Sequence, residues 1–289
     1  IANYGTLLFN ASSAKTISPA ITDNGTTTVQ VISSADNAPG IITFSGNVAS
    51  DTITIGTTTK AGSALFNGTV TGTNINIVGG NVSAEASLGN FANTVTVTAI
   101  TLDDNTGAAT AQFSGAAKTI TGTINGLAAT EGTITVSGTP TFASAIGGTN
   151  RPTQLTINGA TTFQSAVQTS ALTTTAAISN GTTLDVSGTA RLGADVTTSG
   201  TQTYTGAVTL TGTAATRTLT TTGAAISFGS TVNSSAGNTN ALTFGAGSGN
   251  ASFTGAVGGS AALSTITNIA GQTLTFSDAV TATTIANYG

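Results

Sequence analysis

Phe44-Ser45-Gly46-Asn47-Val48, followed by Thr52-Ile53-Thr54-Ile55, returns 22 residues later as Phe66-Asn67-Gly68-Thr69-Val70, followed by Asn74-Ile75-Asn76-Ile77. Each copy holds a short strand in which aliphatic and hydroxyl or amide residues alternate. Period two sends one set inward and the other outward. The outward set here is mostly Thr, whose branched Cβ suits a pleated surface. A unit of this size, with two or three short strands, is too small for a core of its own. It buries its apolar side by stacking on the next copy.

The pattern extends in both directions. The aromatic–x–(Gly/Ser/Asp)–x–aliphatic element recurs at Phe163, Tyr204, Phe253 and Phe276, with looser copies at Phe91, Phe113, Phe142 and Phe228 and a degenerate one at Leu192. Matching strands are Ile134-Thr135-Val136, Leu155-Thr156-Ile157, Leu184-Asp185-Val186 and Val208-Thr209-Leu210. Seven of the intervals between successive aromatics of the pattern run from 21 to 25 residues, as in Phe142 to Phe163 and Phe66 to Phe91. The longer gaps, Phe9 to Phe44 and Phe113 to Phe142, predict a hidden coil or a loop.

The fold expected is all-β, a parallel β-helix (β-solenoid) of about twelve coils of roughly 20–25 residues, continuous over 1–289 as a single segment. A hairpin-based sandwich is the competing all-β architecture. Five Asn-Gly pairs, at Asn24, Asn67, Asn125, Asn158 and Asn180, suit its turns, but they equally suit solenoid corners that need positive φ. A period near 23 with a repeated aromatic favours stacked coils. Pro19, Pro39, Pro140 and Pro152 fall between strand patterns and are read as loop markers.

Composition narrows the chemistry. The 289 residues include six Lys plus Arg and ten Asp plus Glu, with no His, Cys, Met or Trp, and about 65 Thr. Without His or Cys there is no zinc site of the usual kind and no His- or Cys-based nucleophile. Six scattered cations (Lys15, Lys60, Lys118, Arg151, Arg191, Arg217) make no nucleic-acid patch. Hydrophobic residues at 38% argue against disorder. Apolar runs such as 95–102 are too short for a membrane helix, and three Tyr with no Trp supply no barrel girdles. No nucleic-acid partner and no membrane insertion are therefore expected. Ile1 to Gly5 carries no signal-peptide pattern.

The stretches 194–210 (ADVTTSGTQTYTGAVTL) and 251–263 (ASFTGAVGGSAAL) resemble the β-strand repeats of filamentous-haemagglutinin-like large exoproteins and autotransporter-type surface adhesins. The resemblance is repeat-based, covers most of the chain and is best from about residue 190 onward. It implies a secreted, right-handed parallel β-helix at a bacterial surface, used as a stalk or fibre for adhesion. There is no Arg-Gly-Asp.

No catalytic, cofactor-binding or metal-ligating residue is assigned, and no cofactor is expected. Asp103-Asp104-Asn105-Thr106-Gly107 is the only adjacent acidic pair. It is read as an Asx turn rather than a calcium loop or a pair of catalytic carboxylates. The Phe series is read as a core stack rather than a sugar platform. Thr-x-Thr strings such as 52–54 and 94–98 raise an ice-binding face as an alternative.

Finally, Ile1-Ala2-Asn3-Tyr4-Gly5 recurs as Ile285-Ala286-Asn287-Tyr288-Gly289, 284 positions later. The expectation is a non-enzymatic extracellular filament or adhesin-stalk segment. Its partners are further copies, joined covalently in tandem or head to tail, and host-cell, glycan or other surfaces. A ligand-binding adhesin is one alternative; a polysaccharide-active enzyme or tailspike is another.

Overall fold

The structure is a computed structural model that describes residues 1–33, 40–269 and 271–288; Pro39 lies outside the described residues. Among these residues there is no helix. Parallel sheets stack into a β-solenoid of about 13 turns. It forms two compact units, Ile1–Thr153 and Gln154–Gly289.

In the first unit one face is built from Thr6–Asn10, Thr28–Ile32, Thr52–Ile55, Asn74–Val78, Val95–Asp103 and Ala116–Gly126. A second runs from Lys15–Ile17 through Ile41–Phe44, Ser63–Phe66, Ser87–Phe91 and Ala109–Phe113 to Thr133–Val136. Val48–Ala49 and Val70–Thr71 form a third, narrow face. These strands pair in parallel, and like residues align: Ile53 with Ile75, Phe44 with Phe66, Phe91 with Phe113. The gap between Phe9 and Phe44 holds a complete extra coil, with Val31 aligned on Phe9.

The second unit has the same three-faced plan with shorter strands. Its faces begin with Thr161–Phe163, Val167–Thr169 and Gln154–Ile157. Its first coils are tighter than the aromatic spacing predicts: Leu155 pairs with Leu172 and Leu172 with Ala190, steps of 17 and 18 residues. These coils have no aromatic of their own at the stacking position, so counting from aromatic to aromatic passes over them. Val186, not Leu192, aligns with Tyr204.

The inward columns of the first unit are apolar over most of their length, whereas those of the second also carry buried Thr174, Asn180, Thr198 and Gln202. Val29, Val31, Ile53, Ile55, Ile75 and Ile77 are inaccessible. Aromatics form two stacks. Phe44, Phe66, Phe91 and Phe113 stack with centroids 5.0–5.5 Å apart. Tyr204, Phe228, Phe253 and Phe276 do the same at 4.6–5.3 Å. Phe163 is buried but stands on a different face, aligned with Asn180.

Two readings need correction. Of the five Asn-Gly glycines only Gly25 takes a positive φ in the range that excludes side chains, 124°. Glycine in the aromatic motif serves another purpose: a Cβ on Gly46 would lie 2.6 Å from the Ala20 amide nitrogen, and one on Gly255 2.7 Å from the Ser230 carbonyl carbon. Glycine there lets successive coils approach. Pro140, expected in a loop, is a buried residue inside the strand Thr139–Phe142. Its missing N–H is tolerated because the facing strand skips register between Ala116 and Thr119.

Candidate functional site

The acidic turn brings the charges of Glu131 and Asp104 to bear on Asp103. Strand Val95–Asp103 ends at Asp103, and the chain then turns through Asp104 to re-enter at Ala109. Both Glu residues of the sequence, Glu85 and Glu131, are carried to loops beside this turn. Gly79 donates its N–H to the Asp103 carbonyl at 2.8 Å, and Gly107 donates to the Gly80 carbonyl at 2.8 Å, tying the loop of Glu85 to it.

Most of this acidity is engaged by backbone. The Asp104 carboxylate accepts N–H groups from Ala109 at 2.6 Å and Gly132 at 2.7 Å, one on each oxygen. Glu131 accepts from Ala128 at 2.8 Å. Glu85, almost wholly buried, accepts from Asn81 at 3.2 Å. These are carboxylates closing their own turns and, for Asp104, fastening one coil to the next. Asp103 differs. Burial, then the neighbouring Glu131 and Asp104 charges, raise its pKa above the ordinary value. Sequence reasoning singled out Asp103 and Asp104 but missed Glu85 and Glu131. The only available signal was that these are the chain's two Glu residues. No group of three His, Cys, Asp or Glu among the described residues is arranged to hold a metal ion.

The second unit places amides in its interior. Gln202 is inaccessible and donates to the carbonyls of Val196 at 3.1 Å and Thr220 at 2.9 Å. Its Oε1 accepts the Tyr204 hydroxyl at 3.1 Å, and burial pushes the Tyr204 pKa upward. Asn240, also inaccessible, donates to Leu210 and accepts from Ala215, both at 2.9 Å. These side chains close corners where the backbone turns between faces.

The outer surface is mostly hydroxyl and amide. On the widest face of the first unit Thr52 and Thr54 align with Asn74 and Asn76, which align in turn with Ala99 and Thr101. Two outward columns result. Of the Phe series read as core, Phe44, Phe66, Phe163 and Phe253 are all at most 1% exposed and offer no sugar platform, while Phe276 is only half-buried. No helix among the described residues is long and apolar enough to cross a membrane.

No protein-family model, curated protein or solved structure matches the chain.

Proposed function

We propose that this protein is a non-enzymatic, extracellular structural β-solenoid, a segment of a bacterial surface fibre or adhesin stalk. The observation that carries the reading is the continuity of the inward columns within each unit. In the first unit apolar residue stacks on apolar residue over most of the columns; in the second, hydrogen-bonded Asn180, Gln202 and Asn268 enter them, beneath an outer surface with little charge. Parallel backbone hydrogen bonding resists extension along the coil axis, while the corners vary without disturbing the columns. Carboxylates at the acidic turn fasten backbone, which favours a structural role over catalysis there. Only six Lys plus Arg occur in 289 residues, leaving few sites for trypsin-like proteases in an extracellular setting. Other copies of the chain, in tandem or end to end, are the primary partners, with host-cell or glycan surfaces met at the variable corners.

Electron microscopy of the purified chain, with polysaccharide depolymerisation assayed in parallel, tests this. Filaments with a regular axial repeat and no hydrolysis are expected. A dispersed protein that cleaves polysaccharide would overturn the reading. A second reading, ice binding, is favoured by the outward column of Thr54, Asn76 and Thr101 beside Thr52 and Asn74 in the first unit; a thermal-hysteresis measurement decides it.

A further inference from the structure

The two copies of Ile-Ala-Asn-Tyr-Gly use opposite sides of the same strand. In the first, every backbone bond to a neighbouring strand runs forward. The Ile1 carbonyl accepts the Thr22 N–H at 2.8 Å, that of Asn3 accepts Asn24 at 3.0 Å, and that of Gly5 accepts Thr28 at 2.8 Å. Asn3 Nδ2 adds a bond to the Thr28 carbonyl at 3.3 Å. Ala2 and Asn3 align with Thr22 and Asp23 in a sheet of two short strands.

In the second copy the bonds run backward. Ile285, Ala286 and Asn287 align with Ile266, Thr267 and Asn268, and Tyr288 donates its N–H to the Asn268 carbonyl at 3.0 Å. Asn268 Nδ2 donates to Asn287 Oδ1 at 2.7 Å. Successive peptide groups of a strand face alternate sides. With Tyr288 turned toward the strand Leu263–Asn268, the carbonyls of Ile285 and Asn287 face the other way. They are the counterparts of the Ile1 and Asn3 carbonyls that hold Thr22 and Asn24.

We infer that Ile285–Tyr288 of one copy displaces Ile1–Tyr4 from the Ile21–Asn24 strand of a second copy, making the repeated pentapeptide a coupling strand. The inference rests on the fibre reading and specifies its joint. One strand then serves both neighbours, as every inner strand of the coil does. Ile285, half-exposed above buried Ile266, comes to lie over buried Ile21 of the second copy. The column Leu242–Ile266–Ile285 is thereby joined to Ile21–Val48–Val70.

The next strands match as well. Thr6–Asn10 follows the first pentapeptide, and Leu274–Phe276 follows the strand beneath the second. Each presents a pair of half-buried apolar side chains, Leu7 and Phe9 in one, Leu274 and Phe276 in the other. Coupling sets these two pairs against each other and removes both from water, which is the driving force for the exchange. The strand after Thr6–Asn10 begins with Lys15, and exposed Asp278 stands two residues before Val280 on the opposing end. The charges are complementary.

The absence of cysteine permits a direct test. Ala286→Cys with Thr22→Cys places two thiols at the proposed intermolecular register pair. Added oxidant should produce a ladder of disulfide-linked dimers and higher multimers on a non-reducing gel, collapsed by reductant. Ala2→Cys with Thr22→Cys, an aligned pair within one chain, should close without changing size. Ala286→Cys with Ser252→Cys, whose second thiol lies outward on another face, should stay monomeric. Deleting residues 1–5 should raise multimer formation several-fold by vacating the acceptor strand. A monomer-only result for Ala286→Cys/Thr22→Cys overturns the inference, as does an equal ladder from Ala286→Cys/Ser252→Cys. Filaments seen by electron microscopy, with no disulfide formed in the Ala286→Cys/Thr22→Cys variant, overturn this joint and leave the fibre reading standing; absence of filaments as well removes both.

Discussion

The ring of Phe228 lies 4.6 Å from that of Phe253, centroid to centroid, with the planes 9° apart. The two residues are directly aligned on neighbouring strands and each is 1% exposed. Parallel in-register coils bring identical side chains to the spacing at which rings stack, so the aromatic contact and the backbone ladder reinforce one another. Phe253→Ala should cost about 3–5 kcal/mol of unfolding free energy in the second unit. Ser252→Ala, an outward neighbour, should change it by no more than about 0.5 kcal/mol. Denaturant unfolding of the two variants checks both values.

Glycine in the aromatic motif gives a sharper contrast. Gly255→Ala forces a methyl group against the Ser230 backbone, which has no flexible end to move aside. A loss of about 1–3 kcal/mol is expected from the overpacking. Gly181→Ala meets nothing closer than 3.5 Å and should be tolerated. Thermal unfolding of the two variants separates a stacking requirement from a general dislike of replacing glycine.

Tyr204 supplies a prediction at alkaline pH. Burial raises its pKa, so the folded unit holds the phenol proton more tightly than the unfolded chain does. Its stabilising contribution is complete below the ordinary value of 10.0 and is lost as pH climbs beyond it. Tyr204→Phe should lose about 1 kcal/mol at neutral pH with the bond to Gln202. Above pH 10 that deficit should shrink and then reverse, because the variant has no phenol to ionise. Stability against pH, measured on both proteins, reads the crossover.

At the acidic turn the two adjacent aspartates should behave oppositely. Asp103 holds its proton more tightly in the folded unit, so its contribution is fully present below 3.8 and is lost as pH rises through the raised value. Asp103→Asn should therefore stabilise the first unit at neutral pH and make no difference in strong acid. Asp104→Ala removes the acceptor of two backbone N–H groups and should destabilise at neutral pH by about 1.5–3 kcal/mol per charged hydrogen bond lost. Calcium or a chelator should leave the unfolding temperature unchanged, since both Asp104 oxygens already hold amides. Calorimetry across pH, with and without calcium, measures all three.

Much of the coil was legible in the sequence because its signal is local. Ile53-Thr54-Ile55 and Ile75-Asn76-Ile77 announce their inward faces by alternation alone, and the structure aligns them residue for residue. The short coils from Leu155 to Leu210 were hidden because the aromatic used to count turns is replaced there by residues such as Val186. Pro140 misled because its tolerance depends on a register skip in the facing strand, a fact of pairing rather than of local sequence. The acidic turn was half legible. Asp103 and Asp104 are neighbours in the chain, whereas Glu85 and Glu131 reach them only through coil stacking.

Parallel, in-register winding is the claim beneath all of this, and spin labels test it most directly on the long strands Val95–Asp103 and Ala116–Gly126. Thr96 aligns with Thr121, and Thr101 with Asn125. In a chain without native cysteine, labels on Thr96→Cys/Thr121→Cys and on Thr101→Cys/Asn125→Cys should both sit on backbones about 5 Å apart and show strong dipolar broadening. The crossed pair Thr96→Cys/Asn125→Cys should show little. Strong broadening of the crossed pair, with weak coupling in the other two, would mean antiparallel strands and contradict the solenoid.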